Sequence, residues 1–370
     1  MRLTLNTGPG KAAEIYTGSA VLQDLSTWLG STSSITDSIF ILTDNKARSC
    51  CLETLTTVIP SLKTAEIIEI PAGEKNKSLR SAEHLWNILA ERGASRRSLL
   101  INLGGGIITD LGGFVASTFK RGIPFIHVPT SLLGMVDAAI GGKTAINLGD
   151  IKNQVGTFHY PDAIFIHTGF LGTLDSEGLL SGFAEIIKIA LVAELQLWEK
   201  LGSIRLKVLL KSRPEEAIWE DLVSESVATK CRIVEQDFRE KNIREILNFG
   251  HTIGHAFESL SLKNNSKPLS HGHAVALGMI CESYLSSLKT GMDPKERDAI
   301  INTILPDYEY YPLHGEDPDF MMDFIFHDKK RRGSGSRFSL LRSPGDAIPG
   351  VICEPGEIIE SIDFYRTLER

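Results

Sequence analysis

Apolar residues in the first half of the chain fall in short runs of strand length, separated by segments of helical spacing. Ser38 to Thr43, Ala65 to Ile70, Ser98 to Leu103, Phe125 to Val128 and Ala163 to Ile166 are the runs. Between the second and third, Ser78 to Arg92 places its apolar positions at helical intervals. Strands alternating with helices predict an α/β fold built on a doubly wound, mostly parallel sheet. From about Ser176 the pattern changes to long helical periods, at Leu179 to Leu197, Glu215 to Val234 and Ala274 to Leu288. The expected organisation is therefore an α/β domain over 1–174 and a mostly α-helical domain over 175–370.

Composition narrows the class. A length of 370 residues fits two domains or one large one, and 42% apolar with 23% charged residues is ordinary for a globular protein. The formal net charge of −7 gives no electrostatic reason to expect nucleic acid or an anionic membrane as partner. An anionic substrate would need a local cationic pocket, set against the overall field. No run approaches the roughly 18 apolar residues of a membrane span, and the N-terminus lacks the apolar core of a signal peptide. The five cysteines form no C-x-x-C pair and read as reduced thiols, so the expected location is cytoplasmic.

Chemistry concentrates late in the chain. Four of the ten histidines, His251, His255, His271 and His273, lie within one short interval. Residues four apart share a helix face, and imidazole is a common ligand for zinc-like ions. A lone histidine on an apolar face is ordinarily a packed or capping residue, but four together favour a metal site. Thr252 follows His251, so the H-E-x-x-H pattern of zinc proteases is not met. Glycines at 250, 254 and 272 are expected to let backbone approach a ligand.

Two glycine-rich segments lie earlier. Gly104, Gly105 and Gly106 follow an apolar run and precede Asp110 where a helix is expected. They suit either a tight structural turn or a pyrophosphate held at a helix N-terminus. Gly141-Gly142-Lys143-Thr144 with Lys152-Asn153 suggests a second polar loop; a P-loop would need glycine where Asp137 stands. Arg121, Lys143, Lys152, Lys188, Lys230 and Arg244 all sit in or beside these glycine- or histidine-bearing segments. Converging, they would hold carboxylate and phosphate groups.

The ordered series Gly104-Gly-Gly-Ile-Ile-Thr-Asp110, Arg121-Gly, Val128-Pro-Thr-Ser131, Asp137, Gly141-Gly-Lys-Thr144 and Lys152-Asn153 resembles the 3-dehydroquinate synthases. So do Gly182-Phe-Ala-Glu185-Ile-Ile-Lys188, Lys230, Arg244, Leu247 to His255, His271-Gly and Asp328-Lys329-Lys330. The resemblance runs from Thr43-Asp44 to Lys330. It implies an NAD-dependent lyase containing a divalent metal, zinc or cobalt, that cyclises a seven-carbon keto-acid sugar phosphate and releases phosphate. It implies Glu185, His251 and His271 as metal ligands. It further implies Asp44, Glu74, Lys77, Gly104 to Gly106, Asp110, Thr130, Ser131, Lys143, Phe170 and Thr173 as NAD contacts.

Around the substrate the resemblance places Arg121, Asp137, Lys143, Asn153, Lys188, Lys230, Arg244, Asn248, His255 and Lys330, with Lys152 between substrate and cofactor. It also implies a homodimer; because the loop at 104–106 and the implied ligands Glu185, His251 and His271 fall on opposite sides of the change in pattern near Leu174, the reacting carbon is expected between the two halves. Two departures stand out. His273 occupies a position where the family commonly has Glu, and Leu174-Asp-Ser-Glu-Gly178 replaces a segment that usually carries Arg-Glu after Leu-Pro. Another sugar phosphate cyclase and a metal-dependent polyol dehydrogenase are the rival readings. The set Lys230, Arg244, Asn248 and Lys330 suits a keto-acid and favours the first family.

Overall fold

The computed structural model describes residues 1–6, 12–32, 37–149, 151–204, 206–211, 216–264, 268–327 and 335–369. Eleven strands are present among them. These are β1 (Arg2–Asn6), β2 (Ala12–Thr17), β3 (Ile39–Asp44), β4 (Glu66–Ile70), β5 (Leu99–Gly104) and β6 (Phe125–Pro129), then β7 (Lys143–Leu148), β8 (Ile151–Phe158), β9 (Ala163–Ile166), β10 (Ser336–Ser343) and β11 (Asp346–Cys353). The principal helices are α1 (Val21–Ser31), α2 (Leu79–Glu91), α3 (Gly106–Thr118), α4 (Ser176–Ala193), α5 (Glu216–Gln236), α6 (His251–Asn264) and α7 (His271–Thr290). Among the described residues no helix is long and apolar enough to cross a membrane.

Seven strands form one sheet in the order β1-β2-β9-β6-β5-β3-β4, parallel except for the β1–β2 pair. Every residue of β5, β6 and β9 is buried. Continuous apolar runs of this kind belong to strands covered on both faces. Leu85 and Leu89 of α2 and Leu111 and Val115 of α3 share one core with Phe40, Ile68, Leu100 and Phe125 of the sheet. The five strands expected from the sequence are thus present, and the fold is the anticipated α/β sheet followed by a helix-rich part.

Chain order reverses between β3 and β5. From β3 the chain goes outward to β4, then returns to lay β5, β6 and β9 on the other side. In open α/β sheets a crevice forms at such a reversal, outside the carboxyl ends of the strands. Asp44 ends β3 and Gly104 ends β5, so both stand at that point.

The chain folds into two compact units, Met1–Leu179 with Glu215–Glu235, and Leu180–Pro214 with Gln236–Arg370. A single cut after residue 174 does not describe this division, because α5 returns to the unit that holds the sheet. Asn6 N–H donates to Glu235 Oε1 at 2.9 Å, and the Thr17 and Ser224 hydroxyls lie 3.0 Å apart. The second unit also contains strands: β10 and β11 pair antiparallel, with register shifts on either side of Leu340.

Candidate active site

Helix α4 carries Glu185 and Lys188 one turn apart, and both side chains are buried. Helix α6 begins at His251, so His251 and His255 share its first turns, while His271 is the first residue of α7. Glu185 Oε1 lies 3.7 Å from His251 Nε2 and 3.4 Å from His271 Nε2. The two rings are 5.4 Å apart between centroids. Nδ1–H of His251 donates to the Phe249 carbonyl at 3.3 Å, a tautomer that leaves Nε2 with its lone pair.

Burial, with Lys188 adding to it, pushes the His251 imidazole down to about 3, so it is neutral at physiological pH. Burial also works against charge on His271, but the neighbouring carboxylates of Glu185 and Glu258 outweigh it and raise that ring to about 9. Ligand atoms of Glu185, His251 and His271 all fall within 4.8 Å of one another. One carboxylate and two imidazoles form the donor set of an open zinc site, with one position left for chemistry. The residues therefore fit a divalent metal.

Glu258, which sequence reasoning missed, brings a second carboxylate. Its Oε2 lies 3.7 Å from His271 Nδ1, on the side of the ring away from Glu185. Its signal was present in the spacing, since Glu258 follows His255 by three and His251 by seven and so shares their helix face. His273 engages elsewhere: Nε2–H donates to the Glu309 carbonyl at 2.7 Å, and its ring meets Tyr308 edge-on.

The glycines around these histidines serve helix packing, which corrects the expectation that they admit a ligand. A Cβ on Gly254 would meet Val275 Cα at 3.0 Å, one on Gly278 would meet Gly250 O at 2.0 Å, and one on Gly272 would meet Ser181 O at 2.1 Å. Backbone contact of α6 with α7, and of α7 with α4, is what brings Glu185, His251 and His271 together from three helices. Gly250 also holds φ +78°, a conformation that favours glycine.

In the first unit, the residues that resemblance assigns to NAD, apart from Asp110 on α3 and Lys143 and Lys152 on the β7–β8 hairpin, gather at one edge of the sheet, because the strands that carry them are parallel. Asp44 ends β3, Glu74 and Lys77 follow β4, and Gly104 ends β5 with Gly105 and Gly106 after it. Thr130 and Ser131 follow β6, and Phe170 and Thr173 follow β9. Gly105 caps the N-terminus of α3 with no side-chain hydrogen bond. Thr130 N–H donates to Gly104 O at 3.0 Å, so two strand ends are tied together. Ser131 Oγ accepts from Gly134 N at 3.1 Å. Asp44 caps the following turn, accepting from Lys46 N at 2.9 Å and Ala47 N at 3.0 Å. Thr173 Oγ1 donates to the Phe170 carbonyl at 2.7 Å. Glu74 accepts from Asn147 at 2.8 Å. A row of backbone amides and polar side chains along the carboxyl edge suits a dinucleotide.

The charged residues form local pairs. Lys77 Nζ reaches Asp110 Oδ2 and Asn153 Oδ1, each at 2.5 Å. Burial raises the Asp110 carboxyl, against the pull of Lys77. Lys230 Nζ donates to the Asp137 carbonyl at 2.6 Å and contacts its carboxylate. Arg244 is buried and donates to the Phe238 carbonyl at 2.8 Å, while Asn248 donates to Glu240 at 3.3 Å.

Lys143, Lys152 and Asn153 lie on the β7–β8 hairpin and not in the expected loop, because the segment pairs with itself from Lys143↔Phe158 to Leu148↔Ile151. Arg121 (φ 69°) and Asn153 (φ 56°) hold left-handed backbone, a conformation that costs about 1–3 kcal/mol and clusters at functional positions. Lys330 lies outside the described residues. In the second unit a cavity of about 220 Å³ is bordered by Asn248, His251, Thr252, His255, Arg337 and Ser339. The last two were not legible as site residues, since they reach it through the β10–β11 hairpin.

The profile of 3-dehydroquinate synthase N-terminal domains matches residues 67–181, and that of the C-terminal domains matches residues 182–331. The 3-dehydroquinate synthase of Parabacteroides distasonis is 43% identical over 333 residues, covering 89% of this chain and 92% of that protein. The one from Leptospira interrogans is 36% identical over 325 residues, covering 88% of each. Among solved structures, 2-epi-5-epi-valiolone synthase from Streptomyces hygroscopicus subsp. jinggangensis, with NAD+ and Zn2+ bound, superimposes with a TM-score of 0.83 at 25% identity, over 98% of this chain and 99% of that one. A 2-deoxy-scyllo-inosose synthase in complex with carbaglucose-6-phosphate, NAD+ and Co2+ gives 0.84 at 23% identity, over 98% and 99%. An iron-containing alcohol dehydrogenase of Thermotoga maritima gives 0.66 at 12% identity, over 96% and 98%. Matched by both family profiles and by full-length relatives, the chain belongs to the 3-dehydroquinate synthase family of enzymes.

Proposed function

We propose that this chain converts 3-deoxy-D-arabino-heptulosonate 7-phosphate to 3-dehydroquinate and inorganic phosphate, a lyase step of the shikimate pathway. NAD and one divalent metal ion, zinc or cobalt, are the cofactors. The observation that carries the reading is the Glu185–His251–His271 donor group, in a chain whose relatives carry that enzyme's name. When bound, NAD supplies a hydride acceptor restored within each cycle, and the metal supplies Lewis acidity at the oxygens of the reacting carbon.

The chain's own residues bind and orient. Asp44, Glu74, Lys77, the Gly104 to Gly106 turn, Thr130, Ser131, Phe170 and Thr173 hold the dinucleotide along the carboxyl edge of the sheet, joined by Asp110 of α3 and Lys143 of the β7–β8 hairpin. Lys188, Lys230, Arg244 and Lys330, with Arg121 and Lys143, hold the substrate's carboxylate and phosphate. Asp137, Asn153 and Asn248 accept or donate at its hydroxyls, and Lys152 lies between substrate and cofactor. His255 moves a proton at its imidazole nitrogen, and the leaving phosphate carries others. The protein acts as a cytoplasmic homodimer with a small anionic sugar phosphate as substrate, and with no nucleic acid or membrane partner.

A phosphate-release assay with catalytic NAD tests the reading. Phosphate and a carbocycle forming without NADH accumulating is the expected result. Stoichiometric NADH from a polyol, with no phosphate released, would replace it with a dehydrogenase. Turnover of a sugar phosphate lacking the carboxylate, in preference to the keto-acid, would select another cyclase.

A further inference from the structure

Glu282 lies on α7, wholly buried. Eleven residues separate it from His271, about three helical turns, so both face the same side of α7. Its Oε2 accepts from Gly250 N–H at 2.7 Å and its Oε1 from Ile253 N–H at 3.0 Å. These two amides bracket His251 at the start of α6. First-turn amides have no partner inside their own helix, and the helix dipole favours an anion there.

A helix end is usually capped by its own preceding residue. Here Gly250 has no side chain, and a Cβ on it would strike Met279 Cγ at 2.4 Å. The cap therefore comes from across the interface, from the helix whose N-terminus bears another ligand of the set. One carboxylate thus links the backbone beneath His251 to the helix that begins at His271. The close approach of Gly278 to Gly250 holds the same two helices at backbone contact.

We infer that Glu282 is a positioning residue for the metal: by clamping the first turn of α6 to α7 it fixes the direction in which His251 leaves its helix, and so the separation of two ligands before a metal arrives. This rests on the metal reading of Glu185, His251 and His271.

The test compares wild type, Glu282→Gln, Glu282→Asp and His271→Ala, each stripped with chelator and titrated with zinc against a chromophoric competitor. Glu282→Gln keeps the volume but turns an amide N–H2 towards one backbone donor. Its zinc affinity should fall on the order of 10- to 100-fold, and the visible absorption of the cobalt-loaded protein should change. Glu282→Asp should restore part of the affinity. Affinity within about threefold of wild type with an unchanged cobalt spectrum, alongside a lowered melting temperature, would reduce Glu282 to a helix cap and overturn the inference.

Should the variants not fold, hydrogen exchange on metal-free wild type decides. The Gly250 and Ile253 amides should already be protected; free exchange there would overturn the proposal as well. Failure of the metal reading is separable, since then wild type and His271→Ala would bind zinc alike.

Discussion

Glu185 and Lys188 stand one turn apart on α4, 0% and 1% exposed, with carboxylate and ammonium in direct contact. A buried carboxylate is thereby shared between a fixed cation and the group that gathers His251 and His271. A second cation brought to that carboxylate is opposed by the first.

Lys188→Met should therefore bind zinc at least as tightly as wild type while losing turnover on the order of 100-fold, the loss expected when one preorganised charged donor is removed. Competition titration and steady-state kinetics on one preparation measure both. If the variant loses zinc as a ligand variant does, Lys188 is needed to shape the ligand set and has no separate role with substrate.

The ligand variants should rank by contact. His251→Ala and His271→Ala leave two protein donors and should retain no tight zinc and no activity. Glu258→Gln, which takes a carboxylate away from Nδ1 of His271, should bind zinc more weakly yet measurably. Elemental analysis after dialysis checks the order. Full occupancy in both alanine variants would remove the metal from these residues.

Arg244 is buried and its guanidinium is directed by the Phe238 carbonyl. Arg244→Lys keeps the charge but loses the planar fork. The expected fall in kcat/KM is well beyond threefold, a change of about 0.7 kcal/mol. A smaller effect would mean that Arg244 does not grip the substrate.

Acid stability has a source in Asp237. Burial disfavours its carboxylate, but hydrogen bonds from the Lys241, Asn242 and Arg244 amides outweigh burial and hold it below the usual range. A carboxyl whose folded pKa is depressed stabilises the protein above its unfolded value, roughly 3.9. That contribution is lost as pH falls through the lower folded value. Asp237→Asn should lower the melting temperature at pH 7 and flatten its decline below about pH 4. Parallel curves for the two proteins from pH 7 down to pH 3 would show that the loop before Arg244 does not depend on this charge.

Much of this architecture was legible because it is periodic. Apolar runs marked β3, β4, β5, β6 and β9, and the four-residue spacing of His251 and His255 marked a helix face. Other features were hidden for physical reasons. The hairpin over 143–158 carries polar and glycine positions that read as a loop, and the one over 336–353 lies in a half whose long helical periods gave no sign of strands. Glu185 was visible only through family resemblance, because nothing local separates it from any glutamate on a helix. Glu258 and Glu282 are glutamates of the same kind, and only tertiary contact shows one beside His271 and the other under a helix end. The glycines near the histidines read as room for a ligand, whereas the space they leave is filled by the backbone of a neighbouring helix.

The return of α5 to the sheet-bearing unit bears on how the chain is made. The last strand of the sheet is complete at Ile166, but Lys230, which engages Asp137 in the same unit, is synthesised only after the stretch from Leu180 to Pro214. On the ribosome the first unit must wait, one helix short, while part of the second emerges. A fragment ending at residue 174 would be left in that same state: its sheet would be entire, but Asp137 would lack the ammonium it holds in the whole protein.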